Sequence, residues 1–404
     1  MKVIIINNLY KPYARGGAEK VVETIVNGLE KAGHEILVVS TKPWRTLQSS
    51  RDCHAPLRSA RNDNYYPWNI ISYYNLQKLP KFIRPLWHLI NIFNIQSHFK
   101  IKSMLKREKP DIIMTHNLMG VGFLTPLAIR RADVKPASAK LRRGKYIHTL
   151  HDIQLLHPSG LMNVNEEQKV DSIFARVYQW INKKLFASPD VVIFPSQWLM
   201  DEHVKRGFFN DSKKVVLRNP VQFSRDCHAP LRSARNDNDN FIFLYVGQIE
   251  KHKGIGILLE SFASIKNLCE LWIIGEGYES QEFKVKSQKL GLDNIKFLEK
   301  KSSEEVKELM QQANCLVVPS LCYENSPTVI FEARAVGLPV IASNIGGILE
   351  ILAEEFLFKA GDRESLTKKM QWIIDNYKNI TLAKSKLNNY NVEEYINRVL
   401  NPKS

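Results

Sequence analysis

The chain alternates short apolar segments with amphipathic helical segments, and it does so in two successive halves. In the first half, the apolar run KVIIIN precedes residues 18–32, where apolar side chains recur every three or four positions, as on one face of a helix. Further short apolar runs follow at HEILVVS, DIIMTH, KYIHTLH and DVVIFPS. These runs are continuous rather than alternating, which is typical of strands that helices cover on both faces.

The same rhythm restarts in the second half. A predicted helix near residues 255–265 lies among the runs FIFLYVG, LWIIGEG, IKFLEK, CLVVPS and LPVIAS. Strands that alternate with helices predict doubly wound parallel sheets, of which we expect two, in Rossmann-like domains at 1–220 and 221–389. A helix at about 390–404 is expected to pack back on the first domain. Because ligands bind beyond the carboxyl ends of such strands, we expect the site in a deep cleft between the domains.

Charge and cysteine content limit the kinds of binding partner and the cellular compartment that we expect. The 404 residues carry a net charge of +16, which favours an anionic partner: a nucleic acid, an acidic lipid surface or a phosphorylated small molecule. No apolar run reaches the ~18–20 residues of a membrane span. The five cysteines have no regular spacing, so we expect reduced thiols and a cytoplasmic protein.

Three glycine-containing loops follow predicted strands. In ARGGAEK, Gly16 and Gly17 precede a helix start, where backbone N–H groups favour contact with a phosphate or another ligand, although a plain turn would look similar. VGQIEKHKGI places Lys251, His252 and Lys253 beyond a strand, which favours phosphate binding over a solvated basic loop. IIGEGYE is a plausible loop near a nucleotide, though on its own it indicates no more than a turn.

The most specific motif is ENSPTVIFE, followed by GLPVIAS and GG. Ser326 is expected to cap a helix whose first residue is Pro327, so that free N–H groups form an anion site. Glu324 lies just before that helix and Glu332 about two turns into it. One carboxylate could bind the hydroxyls of a sugar and the other those of a ribose.

Together with RGGAEK, HTLHD, FPSQWL, RNPV and VGQ…HKG, this motif resembles the retaining glycosyltransferases of family 4, which have the GT-B fold. The resemblance runs over about residues 1–360, with the motifs in the family's order. It implies an α/β protein of two Rossmann-like domains that moves a sugar from a nucleotide sugar to a glycan or lipid-linked acceptor with retention, in cell-surface polysaccharide or glycolipid synthesis. It gives no information on the particular sugar.

The resemblance also implies residue roles. Glu324 would contact the donor sugar, Glu332 the ribose and Lys253 the diphosphate, while His151 would approach the donor sugar and the acceptor hydroxyl. The full expected set is His151 and Glu324 as catalytic residues; Gly17, Gly247, Gln248, Lys253, Gly275, Ser326, Pro327, Thr328 and Glu332 for the donor; and Gly16, His116, Asn117 and Asp152 for the acceptor.

One departure concerns the diphosphate. The family commonly has Arg after the glycine of its VGR…KG motif, whereas this chain has Gln248, and Lys251 or His252 could compensate. No His, Cys or carboxylate cluster has metal-ligand spacing, so no cofactor and a metal-independent site are expected. The alternatives are a GT-B sugar-nucleotide epimerase, which needs no acceptor, and a non-catalytic nucleotide-sugar-binding protein.

Residues 65–107 contain no Asp or Glu and mix seven Lys or Arg with aromatic side chains. Such a segment could lie on an anionic membrane surface, at the inner face of the cell membrane. Alternatively it is a solvated helix face whose aromatics belong to the core. Binding to nucleic acid is not expected, because no known module accompanies the charge.

The peptide SRDCHAPLRSARNDN occurs twice without a difference, at 50–64 and at 224–238. The copies follow non-equivalent elements, which excludes a structural repeat, and zinc sites favour spacings other than two Cys-His dipeptides. We therefore interpret both as in-frame insertions in loops, where added residues cost little. Deleting residues 225–238 is expected to leave activity largely intact.

Overall fold

The structure, a computed structural model, describes residues 1–13, 16–41, 61–65, 76, 80, 82–134, 144–220, 241–266, 269–380 and 392–400, with 61–65 described in the backbone alone. By its internal contacts the chain divides into two compact units. Unit 1 holds Met1–Gly160, Lys169–Pro220 and Tyr390–Ser404, and unit 2 holds Leu161–Gln168 and Val221–Asn389.

Unit 1 is built on a parallel sheet with the strand order β3-β2-β1-β4-β5-β6-β7. Its strands are β1 (Lys2–Ile6), β2 (Glu35–Thr41), β3 (Arg61–Tyr65), β4 (Ile112–Thr115), β5 (Lys145–Thr149), β6 (Val191–Phe194) and β7 (Lys213–Val216). The helices between them are α1 (Gly17–Lys31), α2 (Arg84–Ile92), α3 (Ile95–Glu108), α4 (Thr125–Ala132), α5 (Ile173–Phe186) and α6 (Gln197–Val204).

Unit 2 repeats this plan on a second parallel sheet, with the order β10-β9-β8-β11-β12-β13. Its strands are β8 (Phe241–Val246), β9 (Cys269–Ile274), β10 (Ile295–Leu298), β11 (Cys315–Val318), β12 (Val340–Ser343) and β13 (Leu357–Phe358). Its helices are α7 (Ile255–Ala263), α8 (Ser280–Lys289), α9 (Ser303–Gln312), α10 (Thr328–Ala335) and α11 (Arg363–Asn376). The expectation of two doubly wound parallel sheets is therefore confirmed.

Both faces of the second sheet are buried, which explains the continuous apolar runs. Phe243 and Leu271 belong to the apolar cluster on one face, and the next residue along each strand, Leu244 and Trp272, belongs to the cluster on the other. Neighbouring residues of a strand point to opposite faces, so a strand between two helical layers needs apolar side chains at every position.

The last described helix, α12 (Val392–Leu400), packs against α1 in unit 1. Tyr395, Ile396 and Val399 join the apolar cluster beneath α1, and Lys145 donates from Nζ to the carbonyl oxygen of Leu400 at 3.0 Å. In this division the second segment of unit 1 ends at Pro220 and the second segment of unit 2 begins at Val221.

Two features differ from expectation. Residues 161–168 fall in unit 2 rather than in the first domain, because Val164 and Tyr323 donate backbone hydrogen bonds to the carbonyls of Leu321 and Met162, at 2.9 and 2.8 Å. The first copy of the duplicated peptide also departs from the expected loop. Its end forms β3, which pairs with β2 through the backbone, and backbone pairing at a sheet edge does not require apolar side chains. The second copy lies outside the described residues.

Candidate active site

The second sheet has a switch point between β8 and β11. From β8 the chain winds outward through β9 and β10, and from β11 it winds the other way through β12 and β13. Loops that leave the carboxyl ends of two such strands diverge and form a binding crevice. Lys253 follows β8 and Glu324 follows β11, and their side chains meet, with Nζ 2.6 Å from Oε1.

The Lys253–Glu324 pair is partly buried, with side chains 23% and 18% exposed. Burial alone would raise the pKa of Glu324, but Lys253 and a hydrogen bond from Ser320 Oγ at 2.9 Å hold that pKa below its ordinary value. Burial likewise opposes the charge of Lys253, yet the carboxylate raises the pKa of the ammonium overall. Both groups are therefore charged at neutral pH. Gly347 donates its N–H to the backbone oxygen of Glu324 at 2.8 Å, which fixes the loop.

Three loops meet at this edge of the second sheet, and two glycines let their backbones approach. Gly275 has φ +145°, and a Cβ there would lie 1.8 Å from the carbonyl oxygen of Gly247. Gly254 has φ +78°, and its Cβ would lie 1.8 Å from the carbonyl oxygen of Pro319. Any side chain at either position would separate the loops. Gly247 and Gly275, which the sequence analysis assigns to the donor, therefore lie in contact.

The residues expected to compensate for Gln248 are otherwise engaged. Lys251 pairs with Glu282, with Nζ 3.0 Å from Oε2 and both side chains exposed. Burial and the charge of Lys253 lower the pKa of His252 to about 4, so this imidazole is neutral at pH 7, with Nδ1 3.3 Å from Glu250. The phenol of Tyr245 donates to the backbone oxygen of Gln248 at 2.6 Å. Lys253 is thus the cation that this loop places beside Glu324.

The helix after Glu324 begins one residue later than expected. Pro327 occupies the N-cap position with φ −65° and ψ 115°, outside the helical region, and α10 runs from Thr328. Ser326 is therefore buried in the preceding turn instead of capping the helix. Glu332 is half-buried about one turn into α10, not two, since it lies four positions after Thr328.

In unit 1, histidines from two adjacent strands meet beyond the carboxyl end of the sheet. His116 follows β4 and His151 follows β5, with Nδ1 of the first 3.0 Å from Nε2 of the second. Both line a pocket together with Asn117, Asp152, Gln154 and other residues of this edge, namely Leu118, Phe123, His148, Thr149, Leu150, Leu155 and Phe186. The sequence-predicted acceptor residues His116, Asn117 and Asp152 therefore lie together with His151.

Burial controls protonation in this pocket. It lowers the pKa of His151 to about 4 and that of His116 well below its ordinary value, so both imidazoles are neutral and one donates its N–H to the other. Burial raises the pKa of Asp152 to about 7; the Glu19 carboxylate adds to this, while the N–H of Gln154 opposes it. Asp152 can thus exchange a proton near neutral pH, as a general acid or base requires.

Gly16 and Gly17 lie at the start of α1, as expected, but the amide of Gly16 already has a partner. Glu19 Oε2 accepts the Gly16 N–H at 2.7 Å. A ligand would compete with that carboxylate. Asn117 is also held, because its Oδ1 accepts from Met119 N at 2.9 Å and its N–H donates to Asn7 Oδ1 at 3.0 Å.

Sequence reasoning missed Ser320, which orients Glu324, and Gly254, which lets the loop of Lys253 approach the strand end at Pro319. The GG of the motif was a usable signal for the close contact at Gly346 and Gly347, whereas Ser320 has no local signature. Among the described residues, no group of three or more His, Cys, Asp or Glu side chains is placed to hold a metal ion.

The chain matches two family models, Glycosyltransferase Family 4 over residues 15–225 and Glycosyl transferases group 1 over residues 231–391. It is 27% identical over 353 residues to an uncharacterized 42.6 kDa protein in the cps region of Klebsiella pneumoniae, covering 87% of each chain. It is 24% identical to the putative teichuronic acid biosynthesis glycosyltransferase TuaC of Bacillus subtilis, covering 91% of this chain and 88% of the relative.

Among solved structures, Anabaena Alr3699/HepE in complex with UDP and glucose superposes with a TM-score of 0.68 at 18% identity, covering 99% of this chain and 98% of the other. The fold is therefore GT-B. Because the first family model alone spans more than half of the sequence, the chain belongs to glycosyltransferase family 4.

Proposed function

We propose that this glycosyltransferase moves a sugar from a nucleotide-sugar donor to a glycan or lipid-linked acceptor with retention of configuration, in cell-surface polysaccharide or glycolipid synthesis. The relatives support this setting. One is named for teichuronic acid biosynthesis, another is the amylovoran biosynthesis glycosyltransferase AmsK of Erwinia amylovora, and a structural neighbour is the lipopolysaccharide outer core galactosyltransferase WaaB.

The contact between Lys253 and Glu324 carries the proposal for the donor. When a nucleotide sugar reacts, the diphosphate leaves with growing negative charge while the sugar becomes oxocarbenium-like. Lys253, held charged at the switch point, is the cation offered to the diphosphate, since fixed charges aimed at developing charge are usually the largest catalytic contribution. In this proposal Glu324 binds the sugar hydroxyls and Glu332 binds the ribose.

The neutral His116–His151 pair carries the proposal for the acceptor. A neutral His151 can accept a hydrogen bond from a sugar hydroxyl, whereas a charged imidazolium would repel an oxocarbenium-like sugar. Asp152, with its pKa raised to about 7, is the group in the pocket offered to the proton of the acceptor hydroxyl. Transfer without a resident metal ion is part of the proposal, with Lys253 neutralising the leaving group.

The first experiment incubates the protein with UDP-, GDP- and ADP-sugars and measures slow donor hydrolysis in the absence of acceptor. UDP-sugars come first in the panel because structures of the neighbour HepE contain UDP and UDP-glucose. We expect one donor to be hydrolysed, and Glu324→Gln and His151→Ala to abolish that hydrolysis. The anomer of a product formed with a supplied acceptor then reports retention.

The matched controls make the same substitutions at a glutamate and a histidine outside the proposed site. Glu354→Gln, at an exposed position of unit 2, and His34→Ala, at the turn before β2, should hydrolyse the donor as the wild type does. Binding of a donor without turnover under any acceptor mixture would contradict transfer. Conversion of the donor into its epimer would favour the epimerase, and sensitivity of the wild type to EDTA would contradict metal independence.

We also propose a cytoplasmic protein that contacts the inner face of the cell membrane through α2 and α3. Within the described part of the basic segment Trp87 is buried, but six large apolar side chains are exposed: Phe82, Leu86, Leu89, Phe93, Ile95 and Phe99. Lys100, Lys106 and Arg107 are exposed on α3. Tyr73, Tyr74, Lys78 and Lys81 lie outside the described residues. Failure to bind anionic liposomes at low salt would contradict this contact.

A further inference from the structure

Helix α5 in unit 1 exposes apolar side chains and buries polar ones. An ordinary surface helix buries its apolar stripe and exposes its polar side chains. On α5 the exposed residues include Ile173, Phe174, Val177 and Trp180, which are 83%, 66%, 54% and 59% exposed. Ile173, Val177, Trp180 and Lys184 are spaced by four, three and four residues, so they form one stripe along the helix.

The buried side of α5 is, in contrast, rich in polar groups that already have partners. Tyr178 donates to the carbonyl of Gln154 at 2.8 Å, Gln179 to that of Leu156 at 3.0 Å, and Asn182 to that of Leu155 at 3.0 Å. The inner face therefore holds the segment that follows Asp152. Because the polar side is used inside the protein, the apolar side is the one presented outward.

The charges of α5 fit an anionic apolar surface. The helix contains no Asp or Glu, and its exposed charged residues are Arg176 and Lys184. Asp171, just before the helix, accepts two hydrogen bonds from Arg206, at 2.9 and 3.0 Å. An apolar stripe with Trp and cations and without acids matches the interface of a bilayer that contains anionic lipids.

No helix in the described part of the chain is long and apolar enough to cross a membrane. Helix α4 contacts both α3 and α5, so α3 and α5 flank the same helix of unit 1. The pocket of His116 and His151 is lined by Phe186, at the end of α5, and by Gln154, which α5 holds.

We propose that α5 is a membrane-docking helix, whose side chains Ile173, Phe174, Val177 and Trp180 insert into the interface of an anionic phospholipid bilayer. Docking there brings the acceptor pocket of unit 1 next to the lipid surface, where a lipid-linked acceptor would be presented. The inference rests on the proposed lipid-linked acceptor and adds a contact site outside the basic segment of residues 65–107.

The test uses the full chain and vesicles of phosphatidylglycerol and phosphatidylcholine, with flotation at low salt as the measurement. We expect the wild type to float with the vesicles, and Ile173→Ser/Trp180→Ser to lower the partition coefficient ~10-fold or more, since each side chain loses apolar burial in the interface. The matched control is Val285→Ser/Leu349→Ser, which removes two exposed apolar side chains from unit 2 and should partition as the wild type does. Arg176→Glu/Lys184→Glu should weaken binding to anionic vesicles more than to neutral ones.

Trp180 provides a second readout, because a tryptophan that enters the interface shifts its emission to shorter wavelength. The wild type should show this shift on addition of vesicles, and Trp180→Phe should lose most of it. Flotation of the α5 variant equal to that of the wild type, or an α5-dependent dimer in sedimentation that covers the stripe, would overturn the proposal. Donor hydrolysis by the wild type without vesicles tests the proposed function separately, so the two failures are distinguishable.

Discussion

Lys253 Nζ lies 2.6 Å from Glu324 Oε1, across 71 positions of sequence. Sequence reasoning assigns the two side chains to different parts of the donor, one to the diphosphate and one to the sugar. In the structure they neutralise each other at the switch point of the second sheet. A donor must therefore enter between groups that already satisfy each other's charge.

Removing one member of this pair should leave the other charged and partly buried. We expect Lys253→Met and Glu324→Gln each to lower the free energy of unfolding by about 1–3 kcal/mol, and their double-mutant cycle to give a coupling energy of about 1–2 kcal/mol. Urea unfolding of the four proteins measures it. The exposed pair Lys251–Glu282, at 3.0 Å, is the control and should give a coupling energy below about 0.5 kcal/mol. Equal coupling in the two cycles would contradict the buried role.

Gly254 should tolerate no side chain, because its backbone contacts Pro319. Gly33 has nearly the same φ, +77° against +78°, but nothing lies within 4 Å of its Cβ position. Gly33→Ala should therefore cost only the backbone strain, about 1–2 kcal/mol, while Gly254→Ala should cost about 4 kcal/mol or more. Urea unfolding followed by circular dichroism compares them. Similar losses in both variants would show that the close approach is not required.

His116 should affect turnover through His151, because its Nδ1 lies 3.0 Å from His151 Nε2. We expect His116→Phe to lower kcat ~10-fold or more with a smaller change in the donor KM, since His151 loses the partner that orients it. His116→Asn, which keeps a donor and an acceptor, should recover part of kcat. A change confined to KM, or no recovery in the Asn variant, would assign His116 to ligand binding or packing instead.

The buried histidines should make the fold sensitive to acid. Burial lowers the pKa of His203 from 6.5 to about 4, so between these values the unfolded chain binds a proton that the native protein does not. The contribution of His203 to the free energy of unfolding is fully present above about pH 6.5. It is lost as the pH falls toward 4, by about 3 kcal/mol in total. His203→Gln should lower stability at pH 7.5, yet reduce the loss between pH 7.5 and 4.5.

Unfolding midpoints in urea at the two pH values measure this difference. Asp152 affects stability in the opposite direction. Burial raises its pKa from 3.8 to about 7, so between these pH values the native protein keeps a proton that the unfolded chain has lost. The free energy of unfolding therefore falls as the pH rises through this range. Asp152→Asn should therefore stabilise the protein more at pH 8 than at pH 4. An unchanged pH dependence in both variants would contradict a neutral His203 and a raised pKa of Asp152 in the native protein.

Local patterns were sufficient for the repeated strands and helices. A strand buried on both faces must be apolar at each position, and an amphipathic helix must repeat its apolar side chains every three or four residues. The local sequence therefore predicts the strand at FIFLYV and the helix at residues 18–32. The glycine loops were recognisable for a similar reason, because a tight turn after a strand needs residues without a Cβ. The polar strand β3 carried no such signal, since it pairs at the sheet edge through its backbone.

The contacts that join distant segments depend on the tertiary structure. The order of the strands brings Lys253 beside Glu324 and His116 beside His151. The number of residues between the members of each pair does not predict that their side chains meet. Residues 161–168 join unit 2 through backbone hydrogen bonds, which any sequence without proline at those donors could make. The outward side of α5 was likewise hidden in the sequence, because its apolar residues have the helical period of a core face. Only the packing of Tyr178, Gln179 and Asn182 against the segment after Asp152 decides which side of that helix faces the solvent.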